Sequence, residues 1–214
     1  MNERRNMKAR MATMATGAAI VAALSLTSAL PASAAVNDDT VESTTHTSQA
    51  CVSLVTEAVK KGTTNLTLAV CTKTSTLTAS APRTVGVAEV QAVKASLNPE
   101  AYRTLLVAAV AGTVRSKAYS QSQNNITDQE TQSGTFYYDG ARVWVTTAYR
   151  GYTGTHRCVV NWAVGYGVSL EACNEGGTTT QRNLYQSWAF TPLNVGTWTE
   201  TYTMHVNSSG SIWQ

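Results

Sequence analysis

Residues Cys158 to Cys173 read CVVNWAVGYGVSLEAC, and how this run folds decides how the sheets of the chain are connected. Apolar residues occupy even positions from Val160 through Trp162, Val164, Tyr166, Val168 and Leu170, whereas Asn161, Ser169 and Glu171 are odd. A single straight strand honours that alternation, because successive side chains on a strand point to opposite faces. It also sets the two cysteines roughly 50 Å apart at about 3.3 Å per residue, and a disulfide needs Cα atoms ~4.4–6.8 Å apart. A two-residue turn at Gly165-Tyr166 pairs the cysteines directly but places Val160 and Trp162 opposite Glu171 and Ser169, a poor register. A three-residue turn, Gly165-Tyr166-Gly167, keeps Val164 on Val168, Trp162 on Leu170 and Val160 on Ala172, with Gly167 free to take the left-handed position. Cys173 then falls one residue out of step with Cys158, which a β-bulge repairs. The three-residue hairpin is the favoured reading, and an unbroken strand whose cysteines pair elsewhere is the second. Tyr166 projects at a tip in the first and joins the core in the second.

Four cysteines, Cys51, Cys71, Cys158 and Cys173, make an even count. In an exported chain this argues for two disulfides, and the sequence-local pairs Cys51–Cys71 and Cys158–Cys173 are expected. No C-x-x-C or H-x-x-x-H spacing occurs, so no metal is expected, and no phosphate-cradling loop suggests a cofactor.

Export itself is read from the first residues. Arg4, Arg5, Lys8 and Arg10 form a basic region, a small-residue and apolar run follows from Ala18 to Leu30, and Ala32-Ser33-Ala34 fits a signal-peptidase site. Residues 1–34 are therefore expected to be a signal peptide, leaving a secreted, extracellular chain with no membrane anchor. The full chain carries 16 Lys and Arg against 13 Asp and Glu, net +3. The signal segment holds four of those bases and one of those acids, so the remainder balances at zero. That neutrality removes the electrostatic footprint of a nucleic-acid binder.

Composition changes near residue 100. All sixteen aromatic residues lie at or after Tyr102. Residues 35–50 are polar and read as a disordered linker, and 51–112 as a small helix-rich segment stapled by Cys51–Cys71. Val52, Val55 and Val59 share a helical stripe, and Leu66, Leu68 and Val70 alternate as a strand. Pro99 to Ala111 is the strongest helix, with Asn98 as N-cap, Pro99 at the first helical position and Gly112 as the stop. Its body is apolar nearly all round, which implies a partner sheet. From residue 113 onward, alternating runs separated by turns indicate an antiparallel β-domain. GTFYY-DG-ARVWV predicts a hairpin turning on Asp139-Gly140, with Tyr137 facing Arg142. The fold class is α+β: mainly an antiparallel sandwich or barrel of about eight strands, with a short helical N-terminal appendage.

Chemistry-bearing residues are sparse. Of the three histidines, His46 falls in the linker, and His156 and His205 with Glu171, Glu200 and Arg157 could assemble acid–base machinery for a secreted hydrolase, nuclease-like in the extreme case. No spacing ties them together, and no G-x-S-x-G motif is present. No catalytic residue is assigned. Binding has better support. Tyr137, Arg142 and Trp144 share one hairpin face, and the loop YRGYTG adds Tyr149, Arg150 and Tyr152. Aromatic surface beside a cation suits a glycan or an extracellular peptide or protein. The competing reading makes Tyr137 and Trp144 the floor on which helix 99–111 packs. Asn65, Asn125 and Asn207 match the glycosylation acceptor pattern, but a bacterial-type signal makes the matches coincidental.

The signal ending PASAA, the run GTFYYDGARVWVTTAYRGYTG and the closing TYTMHVNSSGSIW resemble uncharacterised secreted β-rich proteins of actinomycete-type bacteria. The resemblance covers roughly residues 99–213 and implies no known activity and no site residue. The expected function is thus a non-enzymatic extracellular binding or adhesion domain. A secreted hydrolase and a secreted inhibitor or toxin using a disulfide-braced loop are the alternatives.

Overall fold

The computed structural model describes residues 39–214, so the signal-peptide reading of 1–34 lies outside the described residues. Among the described residues, eleven strands and three α-helices follow one another. They are β1 (Asp39–Thr47), α1 (Gln49–Lys60), β2 (Thr72–Ala79), β3 (Arg83–Thr84), α2 (Val87–Ala92), α3 (Pro99–Val110), β4 (Arg115–Asn124), β5 (Asp128–Tyr138), β6 (Val143–Trp144), β7 (Thr155–Ala163), β8 (Tyr166–Gly177), β9 (Gln181–Pro192), β10 (Trp198–Asn207) and β11 (Ile212–Trp213).

All strand pairs are antiparallel and form two sheets. The larger runs β1-β2-β4-β5-β6, with β3 added on β4 and β7 on β5; the smaller runs β11-β10-β9-β8. Neither sheet closes, so the fold is an open α+β sandwich and not a barrel. Leu77, Phe136 and Tyr138 of the first sheet meet Leu184, Met204 and Val206 of the second in one apolar cluster. A second cluster gathers Cys51 and Val55 of α1 with Trp188, Phe190 and Trp198. Among the described residues no helix is long and apolar enough to cross a membrane.

Two segments differ from their sequence reading. Asp39–Thr47, taken from composition as part of a disordered linker, is an edge strand paired along β2. Its threonines are β-branched and suit a strand whose side chains stay wet. Within 51–112 the three helices appear, but β2 sits between β1 and β4 inside the larger sheet. The helix-rich stretch therefore supplies an inner strand to the β-domain.

The hairpin of β5 and β6 turns one residue later than expected. Tyr137 pairs with Trp144 and Tyr138 with Val143, so Gly140-Ala141 is the turn and Gly140 takes φ +88°. The cause is Asp139, whose Oδ1 accepts from the backbone N–H groups of Ala141 and Arg142 at 3.0 and 2.8 Å. This two-residue slip in pairing preserves parity, so each side chain stays on its expected face.

The stretch 158–173 follows neither expected geometry. Cys158–Cys173 is bonded, with Cα atoms 5.8 Å apart. The strands it joins do not form a hairpin ladder: β7 pairs with β5 in the larger sheet, and β8 pairs with β9 in the smaller. The chain crosses between sheets at Val164-Gly165, where Gly165 takes φ +86°. Each arm finds an open sheet edge, which supplies backbone hydrogen bonds that the partner arm would otherwise provide. The expected bulge is present on β8, between Leu170 and Ala172, and β7 carries another beside Val160.

Helix α3 is capped by Asn98, whose Oδ1 accepts from Ala101 N–H at 2.8 Å. Leu105, Ala108 and Ala109 are buried, while Val107 and Val110 face outward. The helix buries one stripe and not its full circumference. Ala108 lies against Trp144, and Leu105 and Ala109 pack with Val90 of α2.

Candidate functional site

The hairpin β5–β6 and the loop after it assemble the aromatic residues singled out from sequence. Tyr137 and Trp144 stack at 5.9 Å, Tyr152 stacks on Tyr137 at 5.3 Å, and Tyr149 meets Trp144 edge-on at 4.9 Å. The loop folds back through a Tyr149–Tyr152 backbone pair, with Arg150 at φ 50° and Gly151 at φ 77° between them. Trp144 is only 4% exposed, and its Nε1 donates to the Tyr152 carbonyl at 3.1 Å. Tyr137 and Tyr152 pack in the same cluster beneath α3. Burial, and then the neighbouring Tyr137, push the Tyr152 phenol up to about 12.

Beside this stack opens a cavity of about 250 Å³ whose walls include Arg142, Trp144, Tyr149, Glu175 and Arg182. The Arg142 guanidinium lies 4.8 Å from the Tyr149 ring centre and has no ion-pair partner among the described residues. Glu175 is held by the Thr146 backbone N–H at 2.8 Å, by the Thr146 hydroxyl and by Arg182 Nε at 2.6 Å. Burial would raise its carboxyl, but the Thr146 hydrogen bonds and Arg182 bring it below the usual range. Arg150 belongs to a neighbouring depression with Asn98 and Glu100, and reaches Asp139 at 3.3 Å. Of the six residues, Arg142, Trp144 and Tyr149 therefore line one cavity, Tyr137 and Tyr152 support it, and Arg150 stands apart.

His46, on edge strand β1, meets the Tyr202 ring edge-on at 6.4 Å, while His156 and His205 are separated by the smaller sheet. His156 lies on its inner side, where Nδ1 meets the Tyr119 hydroxyl at 2.9 Å and Nε2 faces the Tyr185 carbonyl at 3.4 Å. His205 bonds Asn183 Oδ1 at 2.8 Å and stacks on Trp213 on the outer side. Glu200 is committed to Trp198 Nε1 at 2.8 Å and to the Tyr202 hydroxyl. These groups do not converge on one pocket. His156, Cys158 and Cys173 come close enough to suggest a metal set, but both sulfurs are in a disulfide and offer no thiolate.

A second constellation lies inside the sandwich and was not singled out from sequence. Lys73, at the start of β2, is buried between two buried carboxylates at the start of β5. Its Nζ contacts Asp128 Oδ1 and lies 2.6 Å from Glu130 Oε2, with the Phe190 ring centre 3.9 Å away. The Tyr166 hydroxyl donates to Asp128 Oδ2, and Thr127 Oγ1 reaches the same oxygen at 3.1 Å. Tyr166 is thus neither a projecting tip nor a plain core residue; its hydroxyl serves a buried acid. Glu130 Oε1 has no hydrogen-bond partner among the described residues. Burial, relieved in part by Lys73 and reinforced by Asp128, pushes the Glu130 carboxyl up to about 8. Burial would raise Asp128 as well, but hydrogen bonds from Glu130, Lys73 and Tyr166 and the Lys73 charge bring it below its ordinary value. The signal was present in parity: Lys73, Ser75 and Leu77 share one face of β2, and Asp128, Glu130, Gln132 and Phe136 share one face of β5.

Comparison with protein-family models, with curated proteins and with solved structures finds no match to this chain.

Proposed function

We propose that the protein is a secreted, non-enzymatic extracellular binding or adhesion domain whose ligand enters the cavity beside Arg142 and Tyr149. The observation that carries this reading is the unpaired Arg142 guanidinium stacked over Tyr149 at the mouth of a preformed cavity. An aromatic wall with a small number of polar groups is how a concave site holds a small ligand. Arg142 presents a planar donor fork suited to a carboxylate, and Glu175 with Arg182 presents a fixed acceptor and donor opposite. Together they favour an acidic glycan over a neutral one. Two disulfides fit an oxidising, extracellular setting.

A glycan array carrying acidic and neutral sugars, with peptides as a second panel, tests the proposal. The expected result is binding to uronate- or sialate-bearing glycans that Arg142→Ala weakens by roughly ten- to a hundredfold, the worth of a charge-assisted hydrogen bond. Tyr149→Ala should weaken it as well. Binding indifferent to both substitutions, or no binding on either panel, overturns the reading.

A further inference from the structure

We propose that Lys73 and Asp128 condense into an intramolecular amide, with Glu130 carrying the protons. This inference is independent of the ligand cavity. It begins from a buried triad with one base and two acids. With all three groups ionised, the interior would hold a net negative charge far from water, which is strongly unfavourable. Glu130 is the acid whose carboxyl burial holds neutral.

The parts are placed for acyl transfer. Lys73 Nζ touches Asp128 Oδ1, so the amine and the carboxyl carbon are neighbours. Asp128 Oδ2 receives the Tyr166 hydroxyl, a donor aimed where negative charge develops when nitrogen adds to the carbon. Glu130 contacts through Oε2 the same Lys73 Nζ that Asp128 touches, and its Oε1 has no hydrogen-bond partner among the described residues. It therefore bridges the group that must lose protons and the group that must gain them.

The step balances without a further reagent. Glu130 gives its proton to Asp128 and takes one from the Lys73 ammonium. The neutral Nζ then adds to Asp128 Cγ, forming the C–N bond. A second proton leaves nitrogen for Glu130 as Glu130 protonates the departing oxygen. The C–O bond breaks, one water leaves, and Glu130 ends protonated as it began. Both buried charges of the pair disappear.

The backbone holds the reactants in register. Asn125 Nδ2 donates to the Val70 carbonyl at 2.8 Å, and Asn125 Oδ1 accepts from Asp128 N–H at 2.8 Å. One side chain thus ties the approach to Lys73 to the residue it would attack. The Cys51–Cys71 disulfide fixes the chain two residues before Lys73. Phe190, packed among Trp188 and Trp198, closes the site against water. Well-oriented neighbours of this kind react with effective concentrations of roughly 10⁵–10⁸ M, and exclusion of water opposes the reverse hydrolysis.

The test is mass spectrometry of the full chain after export, reduced and denatured, followed by peptide mapping. The expected result is a mass lower by one water and a branched peptide joining the Lys73 and Asp128 segments that survives reduction. Asp128→Ala should restore the full mass. Glu130→Gln, which keeps the shape of the side chain, should fold with an unchanged circular dichroism spectrum and remain largely unlinked. An unmodified wild-type mass overturns the proposal even if both variants fail to fold. A branched peptide that joins Lys73 to Glu130 overturns the assignment of Asp128, and full linkage in Glu130→Gln overturns the role of Glu130.

Discussion

At the scale of single residues, His156 shows how burial sets protonation. Desolvation lowers its pKa from the ordinary 6.5, only partly opposed by the Tyr185 carbonyl and Glu175. The neutral ring accepts from the Tyr119 hydroxyl at Nδ1 and turns its N–H at Nε2 toward Tyr185. The unfolded chain binds a proton near 6.5, and the folded chain binds it only at lower pH. Stability is therefore present above 6.5 and is lost as pH falls from there through the folded value. Melting curves between pH 7.5 and 5 should show the Tm of the wild type declining relative to that of His156→Gln as pH falls, since the raised Glu130 carboxyl contributes the same opposing slope to both. Equal slopes for the two proteins would refute the assignment. Tyr166 makes the same point differently: its hydroxyl reaches Asp128, and burial followed by that carboxylate raises its pKa. The sequence marked Tyr166 as important through its glycine neighbours, but its partner lies 38 residues earlier in the chain.

At the scale of elements, Cys158–Cys173 ties two sheets together and not the arms of one hairpin. Closing 15 residues in the unfolded chain corresponds to about 3 kcal/mol in the chain-entropy picture. The Cys158→Ser, Cys173→Ser double variant should lose about that much stability in urea unfolding, with β9–β10 still protected from exchange. A much larger loss would mean that the crossing nucleates the smaller sheet. Helix α3 offers a local counterpart, since Asn98→Ala removes the bond to Ala101 N–H and should cost about 1 kcal/mol. That helix was legible because its cap, first-turn proline and terminal glycine act within a few residues of it. The antiparallel pairing around Asp139 was nearly legible for the same reason, and failed by one residue because a side-chain acceptor outcompeted the turn dipeptide. Strand β1 was illegible: its pairing depends on β2, and its threonine-rich, exposed composition matches that of a solvated segment equally well.

At the scale of the whole molecule, the interior divides into an apolar end and a polar end. Phe136, Tyr138, Leu184 and Met204 fill the first, while Lys73, Gln123, Glu130 and Gln132 occupy the second. Alternation revealed which residues face inward but not that two strands with polar inward faces would be placed across the end of β4 from each other, because sheet order is a property of distant pairings. There the buried charges cost free energy that the neighbouring Trp188, Phe190 and Trp198 cluster must offset, so covalent ties matter most at that end. An amide between positions 55 residues apart would add about 4 kcal/mol in the chain-entropy picture, at the end where Cys51–Cys71 also lies. Hydrogen exchange should resolve this. In the wild type with both disulfides reduced, amides in 72–75 and 128–133 should keep most of their protection. In reduced Asp128→Ala they should lose it, while those in 134–138 and 202–206, packed in the apolar cluster, exchange as slowly as before. Uniform loss across both ends would mean that the sandwich unfolds as one unit, and that the tie at the polar end stabilises the molecule globally and not locally.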